Sequence, residues 1–142
     1  MLAPQTNVDV LFGRICGYCH TETQVVPHPR FEQTSRCVCP NCQAYVSVES
    51  GTDRPLGMVA DPHLRRRRQH LHRKIRLLLK ARLLSQWQCY RWLSRQIEKK
   101  AIYAHVSMLS DSECDLVVSQ IEKTFGRAII EVQSEGRIVD KT

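Results

Sequence analysis

The sequence lacks several features that would assign it to common protein classes. It has no apolar run near the roughly 20 residues that a membrane helix needs, and its N-terminus has no export-signal pattern. It has no phosphate-cradling glycine loop, no H-E-x-x-H pair and no nucleophile elbow. At 142 residues it is too short for a large multidomain enzyme. We therefore expect a cytoplasmic binding protein and no enzymatic activity.

Acidic residues are nearly absent from the middle of the chain. Residues 61–100 contain 13 basic and 2 acidic side chains, a net charge of +11, whereas the whole chain carries +7. The flanking segments 1–60 and 101–142 are mildly acidic, at −1 and −3. The basic character thus belongs to one segment, and such a local positive field attracts polyanions.

Seven cysteines are present, and this odd number fits a disulfide framework poorly. Cys16-Gly17-Tyr18-Cys19 and Cys39-Pro40-Asn41-Cys42 form two C-x-x-C pairs separated by 19 residues. Each two-residue gap lets a tight turn direct two sulfurs to one ion, and Zn²⁺ prefers four such ligands in a tetrahedron. A four-cysteine site has no open position for water. We therefore predict one structural Zn²⁺ held by Cys16, Cys19, Cys39 and Cys42.

Other interpretations of the cysteines remain open at this point. Cys16 to His20 also matches the C-x-x-C-H haem-attachment pattern, but haem leaves the second pair unexplained. A thioredoxin-like redox site needs a βαβ setting that the sequence does not show. Cys37 could replace Cys39 as a ligand, and His20 or His28 could replace a sulfur. Cys89 and Cys114 lie on predicted apolar helix faces and are expected to be small buried side chains.

The pattern of residues predicts an α+β protein, with an N-terminal zinc ribbon followed by a compact three-helix region. Short strands are expected over 22–26, 31–38 and 44–48. Asp61 and Pro62 should start a long basic helix with an apolar stripe at Leu64, Leu71, Ile75 and Leu78. We place the domain boundary after residue 57, with the ribbon and linker in 1–57 and the helical region in 58–142.

Two further helices and a terminal hairpin complete the predicted helical region. Ser85 should cap the second helix, and Ser110 with Glu113 has the spacing of a capping box for the third. Gly126 is a candidate end for that third helix. Residues 128–132 and 137–139 flank a turn-forming segment, so a C-terminal β-hairpin is expected there.

The first long helix is the predicted binding surface. Arginine suits phosphate because its planar guanidinium can donate two hydrogen bonds. DNA or RNA is the expected partner, an acidic host protein or nucleoprotein complex is the alternative, and a merely solvated helix is the third interpretation. The aromatic residues Trp87, Tyr90 and Trp92 could stack on bases, but their helical spacing favours the core. The candidate binding residues are Arg65, Arg66, Arg67, Arg68, Arg73, Lys74, Arg76, Lys80 and Arg82.

Several short segments form a pattern that extends over most of the chain: Ala44-Tyr45-Val46, Gly51-Thr52, Pro55-Leu56-Gly57, Ala60, Leu64-Arg65, Arg68, His72, Tyr90, Trp92-Leu93, His105, Met108 and Cys114. This pattern resembles the zinc-finger-containing family of small bacteriophage and prophage proteins of uncharacterised function. The similarity spans about residues 16 to 120, and its most specific part is the run from Cys39 to His72. The resemblance implies a zinc ribbon, a phage or mobile-element origin and a bacterial host cytoplasm, but no reaction. From the basic helix we expect a regulatory nucleic-acid-binding protein in that setting or, alternatively, an inhibitor or adaptor of anti-CRISPR or anti-restriction type.

Overall fold

The chain forms two compact units in the computed structural model, which describes residues 8–136. The units are Met1–Arg65 and Arg66–Thr142, compared with the predicted boundary after residue 57. Across the described part of the chain, no helix combines the length and apolar character that a bilayer crossing requires.

The first unit is built around a small antiparallel sheet. After a short helix α1 (Val8–Leu11), the strands β1 (Gln24–Pro27), β2 (Ser35–Val38) and β3 (Tyr45–Ser47) pair in the order β1-β2-β3. Cys37 in the central strand pairs with Val25 on one side and with Val46 on the other. The three predicted strands are confirmed, although each is shorter than the segment predicted for it.

A small buried cluster of this unit lies around the sheet and is rich in sulfur. Its largest side chains are three valines, so this cluster alone supplies little apolar area for stabilising the unit by burial. A structural metal is the usual supplement in a unit of this size. The cluster consists of Cys16, Cys37, Cys39, Ala44, Val46, Val48 and Val59.

Gly13, which follows α1, lies close to the backbone of Gly57 in the loop after the sheet. Its φ of +77° favours glycine, and a Cβ atom at this position would lie 2.4 Å from the Gly57 carbonyl oxygen. The Gly13 carbonyl accepts hydrogen bonds from the Thr23 hydroxyl at 2.6 Å and from the Cys37 thiol at 3.2 Å. The backbone at residue 13 therefore has space for glycine alone.

The long helix α2 (Pro62–Lys80) begins in the first unit and continues through the second. It starts as predicted, because the Asp61 carboxylate accepts a hydrogen bond from the Leu64 N–H at 2.8 Å. In the second unit, α3 (Gln86–Ile97) and α4 (Asp111–Ser134) follow.

Both later helices have the predicted N-terminal caps. Ser85 with Gln88, and Ser110 with Glu113, form complete capping boxes in which side chain and backbone bond reciprocally. Two short 3₁₀ turns, Ala101–Tyr103 and Val106–Met108, connect α3 to α4.

The core of the second unit lies between its three helices. Leu71 and Leu78 of α2, Leu93 of α3 and Ile121 of α4 are almost fully buried. Cys89 and Cys114 are buried as predicted, at 3% and 0% exposure. Burial raises the pKa of Cys89 to about 11 and that of Cys114 to about 12, so both are protonated thiols at neutral pH.

The predicted C-terminal hairpin is wrong in its first strand. Residues 128–132 are helical, since α4 continues through Gly126 to Ser134. Ile121, Ile129 and Val132 are all buried at helical spacing, and this packing outweighs the roughly 1 kcal/mol that a mid-helix glycine costs. The predicted second strand, 137–139, lies outside the described residues.

Candidate metal centre and cationic helix

Four cysteine sulfurs converge at one end of the small sheet. The Sγ atoms of Cys16, Cys19, Cys39 and Cys42 all lie within 4.8 Å of one another, and those of Cys16 and Cys42 are 3.6 Å apart. Four sulfurs bound to zinc at about 2.3 Å define a tetrahedron with edges of about 3.8 Å. The cluster therefore has the donor atoms and the size that zinc requires.

Two equivalent backbone turns place these sulfurs. In the first turn, the His20 N–H donates to the Cys16 carbonyl at 2.8 Å, and the Cys16 N–H donates to the Thr21 carbonyl at 2.9 Å. The second turn repeats both hydrogen bonds: the Gln43 N–H donates to the Cys39 carbonyl at 2.9 Å, and the Cys39 N–H donates to the Ala44 carbonyl at 2.8 Å.

The residue after each C-x-x-C pair reverses the chain in the left-handed region. His20 has a φ of 58° and Gln43 a φ of 68°. The two turns are thus conformational repeats, and the sheet between them brings them together: the second turn directly connects β2 to β3. This repetition explains why two identical sequence spacings produce one compact four-sulfur cluster.

Hydrogen bonds to sulfur prepare the cluster for a cation. The Tyr18 and Cys19 N–H groups both donate to the Cys16 sulfur at 3.4 Å, and the Asn41 side-chain amide donates to the Cys19 sulfur at 3.2 Å. Burial opposes ionisation of Cys39, but the backbone N–H groups of Cys42 and Asn41 lower the pKa of Cys39 to about 7. Such donors stabilise thiolates, the form of cysteine that binds metal.

At Cys16, burial outweighs the hydrogen bonds to the sulfur. It raises the pKa of that thiol to about 12, so without metal Cys16 keeps its proton at neutral pH. Bound zinc supplies the positive charge that stabilises the thiolate, and binding therefore releases protons.

The other sequence-predicted donors lie apart from the four-sulfur cluster. The Cys37 thiol donates to the Thr23 hydroxyl at 2.9 Å. Cys37 belongs to the buried core of the sheet, but its sulfur is not one of the four in the four-sulfur cluster. His28 uses Nδ1 to accept hydrogen bonds from the N–H groups of Arg30 and Phe31, at 3.0 and 3.3 Å. Within residues 8–136, the four predicted cysteines are the group of side chains that can hold a metal ion.

The nine predicted binding cations of the basic segment fall into two sets. The first set makes contacts inside the protein and consists of Arg65, Arg67, Arg68 and Lys74. Arg65 and Arg68 contact groups other than carboxylates. The Arg65 guanidinium lies 4.0 Å from the centre of the Tyr45 ring and donates to the Ala60 carbonyl. Arg68 is buried, at 8% exposure, and donates to the Leu109 carbonyl. Arg68 is thus a core residue of the second unit and is removed from the candidate surface.

Two further cations of the first set pair with carboxylates on α4. Arg67 contacts Asp111 at 3.2 Å and also pairs with Asp115. Lys74 lies 3.7 Å from Glu122. These pairs link α2 to α4 and neutralise part of the acidic segment, so these two cations act as internal ion-pair partners.

Most members of the second set are exposed and follow a single row. Arg66, Arg76 and Lys80 are exposed, and Arg73 is half-buried, with a buried Nε atom that has no hydrogen-bond partner. With Gln69, these residues follow the spacing 66, 69, 73, 76 and 80, which keeps them on one face of a helix. We call Arg66, Arg73, Arg76 and Lys80 the cationic row. Arg82, the last predicted cation, is exposed just beyond the helix, with a φ of 56°.

The three aromatic residues of α3 have different environments. Trp92 packs edge-on against Phe125 with ring centres 5.4 Å apart, and Tyr90 packs against His105 at 5.1 Å. Trp87, in contrast, is 66% exposed. A core position is therefore the wrong prediction for Trp87, and the helical spacing alone could not distinguish it from its neighbours.

The fold and the four-sulfur site together define a zinc ribbon with one structural zinc. A family model described as a zinc-finger-containing domain matches residues 13–124. The chain belongs to this zinc-finger-containing family. Neither the curated proteins nor the solved structures include a significant match to the chain.

Proposed function

We propose that this protein is a regulatory nucleic-acid-binding protein that contacts phosphates through the cationic row of α2. The observation that carries the proposal is the division of the basic segment. Arg65, Arg67, Arg68 and Lys74 have partners within their own units, whereas Arg66, Arg76 and Lys80 of the row are exposed to solvent. A helix that needed positive charge only for internal pairing would not require this second set.

The dimensions of the row suit a polyanion. Arg66 and Lys80 are 14 residues apart, which corresponds to about 21 Å along a helix. Duplex DNA carries one negative charge per ~1.7 Å of its axis, so a row of this length can follow several consecutive phosphates. Helix α2 contains no acidic residue that would oppose such an approach.

A binding role is also consistent with the chemistry of the metal centre. Four cysteine ligands complete the tetrahedral coordination of zinc and leave no position for substrate or an activated water. The His105 ring packs against the Tyr90 ring, with ring centres 5.1 Å apart. These features support a structural role for zinc and a function in recognition, not turnover.

Fluorescence anisotropy with a labelled 20-base-pair DNA duplex, measured across a salt series, tests the proposal. With the row and Arg82 bound to about five phosphates, affinity should fall about 500-fold between 50 and 200 mM salt. The triple variant Arg66→Gln, Arg76→Gln, Lys80→Gln should reduce the log–log slope by about 2.7.

A matched variant separates the row from net charge. Arg14, Lys123 and Arg127 are also exposed cations but lie outside α2. Changing these three to Gln removes the same charge and should leave most of the affinity and slope unchanged. Equal losses in the two triple variants, or no binding at low salt, would refute the proposed role of the row.

The wider setting that we propose is a phage or mobile genetic element, on the sequence resemblance described above. In that setting the alternative function is inhibition of a host protein or nucleoprotein defence complex. The same exposed cations support it, because they are complementary to an acidic surface on such a host protein or to the nucleic acid of a nucleoprotein complex. Retention of one host protein from a nuclease-treated lysate, without any oligonucleotide binding, would favour this alternative.

A further inference from the structure

We infer that the nucleic acid is single-stranded and that Trp87 stacks on one of its bases. This inference rests on the proposed nucleic-acid-binding function and names the form of the ligand. Trp87 lies in the first turn of α3, with 66% of its surface exposed, and the Arg91 guanidinium lies 4.6 Å from its ring centre. An exposed indole next to an arginine is the arrangement that stacks bases in single-strand-binding proteins.

Other cations follow the same helix face. Arg91 is one turn beyond Trp87, and Arg95 is one further turn along; both are exposed. Arg82 lies three residues before the Ser85 cap and is also exposed. A base on the indole would therefore have its sugar-phosphate backbone close to positive charge, which supplies the charge complementarity that a merely apolar patch lacks.

The backbone at Arg82 fixes where this cation lies. The Leu83 N–H donates to the Leu78 carbonyl and the Arg82 N–H to the Leu79 carbonyl, both at 3.1 Å, which closes α2 in a Schellman motif. Arg82 occupies the left-handed position of this motif, with a φ of 56°. The motif therefore holds the backbone of this cation directly before the helix that carries Trp87.

The geometry discriminates between single and double strands. In a duplex, each base face is covered by its neighbours, so an indole on a helix surface can stack only on an unpaired base. Arg91 lies over the ring of Trp87, and a base on the opposite ring face would form a base–indole–guanidinium stack. Trp92 cannot do this, because its ring packs against Phe125.

Oligo(dT) of 20 nucleotides and a 20-base-pair duplex are the probes for this inference. Stacking should quench the fluorescence of wild-type protein on addition of oligo(dT), and the quench should disappear in Trp87→Phe although that variant keeps most of its affinity. Trp87→Ala should weaken oligo(dT) binding about 5- to 150-fold and change duplex binding less than twofold. Ile130→Ala, which truncates an equally exposed apolar residue of α4, is the matched control and should change neither.

The outcomes distinguish this inference from the proposed function. Salt-dependent binding that is equal for both probes and unaffected by Trp87→Ala overturns the inference and leaves the proposed function in place. Absence of binding to both probes at 50 mM salt overturns both. A folded Trp87→Ala variant, verified by its circular dichroism and zinc content, makes either result interpretable.

Discussion

The Arg68 guanidinium donates two hydrogen bonds to the carbonyl oxygen of Leu109, from Nε at 3.4 Å and from Nη2 at 3.2 Å. Arg68 is the last residue of a run of four arginines, and at 8% exposure it is buried whereas Arg66 is exposed. One short run of identical residues thus contains a core residue and a solvent-facing residue. The function of a cation on this helix depends on the face that it occupies.

We expect Arg68→Ala to lower the free energy of unfolding by about 2–4 kcal/mol. The substitution removes charged hydrogen bonds and leaves the buried Leu109 carbonyl without these donors. Arg66→Ala, two residues away on the exposed face, should change the free energy of unfolding by no more than about 0.5 kcal/mol. Urea unfolding of the zinc-saturated proteins measures both, and similar midpoints for the two variants would contradict the assignment of Arg68 to the core.

Two glycines with the same φ angle provide a second test. Gly13 and Gly51 both have a φ of +77°, but a Cβ atom would contact the Gly57 carbonyl at 2.4 Å from Gly13 and no atom within 4 Å from Gly51. Gly51→Ala should therefore cost about 1 kcal/mol, and Gly13→Ala at least about 3 kcal/mol. Thermal melts of the zinc-loaded variants check the difference. Equal melting temperatures for Gly13→Ala and Gly51→Ala would contradict the claim that the protein requires glycine at residue 13 for its close backbone contact.

The local features of the fold could be predicted because they depend on short-range chemistry. A C-x-x-C pair fixes a turn, and a Ser-x-x-Glu or Ser-x-x-Gln segment fixes a helix start, independently of the rest of the chain. The four cysteines, the caps at Ser85 and Ser110 and the start of α2 at Pro62 are of this kind.

The features that sequence reasoning missed depend on distant partners. Residues 128–132 contain two isoleucines and a valine, which favour a strand locally, but the helical spacing of Ile129 and Val132 relative to Ile121 lets α4 bury these two side chains. The sequence likewise shows that Arg68 is basic, not that the Leu109 carbonyl lies beside it. Trp87 differs from Trp92 only in which side of α3 the protein covers. None of these outcomes has a local signal.

Arg82→Gly should separate charge from conformation at the end of α2. Glycine relieves a left-handed conformation that costs roughly 1–2 kcal/mol, and greater freedom in the unfolded chain offsets part of this gain. We expect the variant to be as stable as the wild type or up to about 1 kcal/mol more stable, and the salt slope of nucleic-acid binding to fall by about 0.9.

Arg82→Ala supplies the control for conformation, because it removes the same charge but keeps the strained φ. It should show the same slope and a lower unfolding midpoint than Arg82→Gly. An unchanged salt slope in both variants would exclude Arg82 from the phosphate-binding surface.

Zinc affinity should rise with pH. Burial raises the pKa of Cys16 to about 12, so below that pH the metal-free protein holds a proton that zinc must displace. One displaced proton makes the apparent affinity rise tenfold per pH unit, and additional protonated ligands steepen the dependence. Competition with a chromophoric chelator between pH 6 and 8 should therefore show at least a tenfold gain per unit. A flat profile would contradict proton release at Cys16.

The central structural claim is that the two C-x-x-C turns hold one zinc ion through four sulfurs. Zinc K-edge X-ray absorption of the protein loaded with one equivalent of zinc tests it most directly. We predict a single shell of four sulfurs at about 2.3 Å, identical in the wild type and in Cys37→Ser. A nitrogen neighbour at about 2.0 Å, or a changed shell in Cys37→Ser, would contradict the assignment of Cys16, Cys19, Cys39 and Cys42 as the complete ligand set.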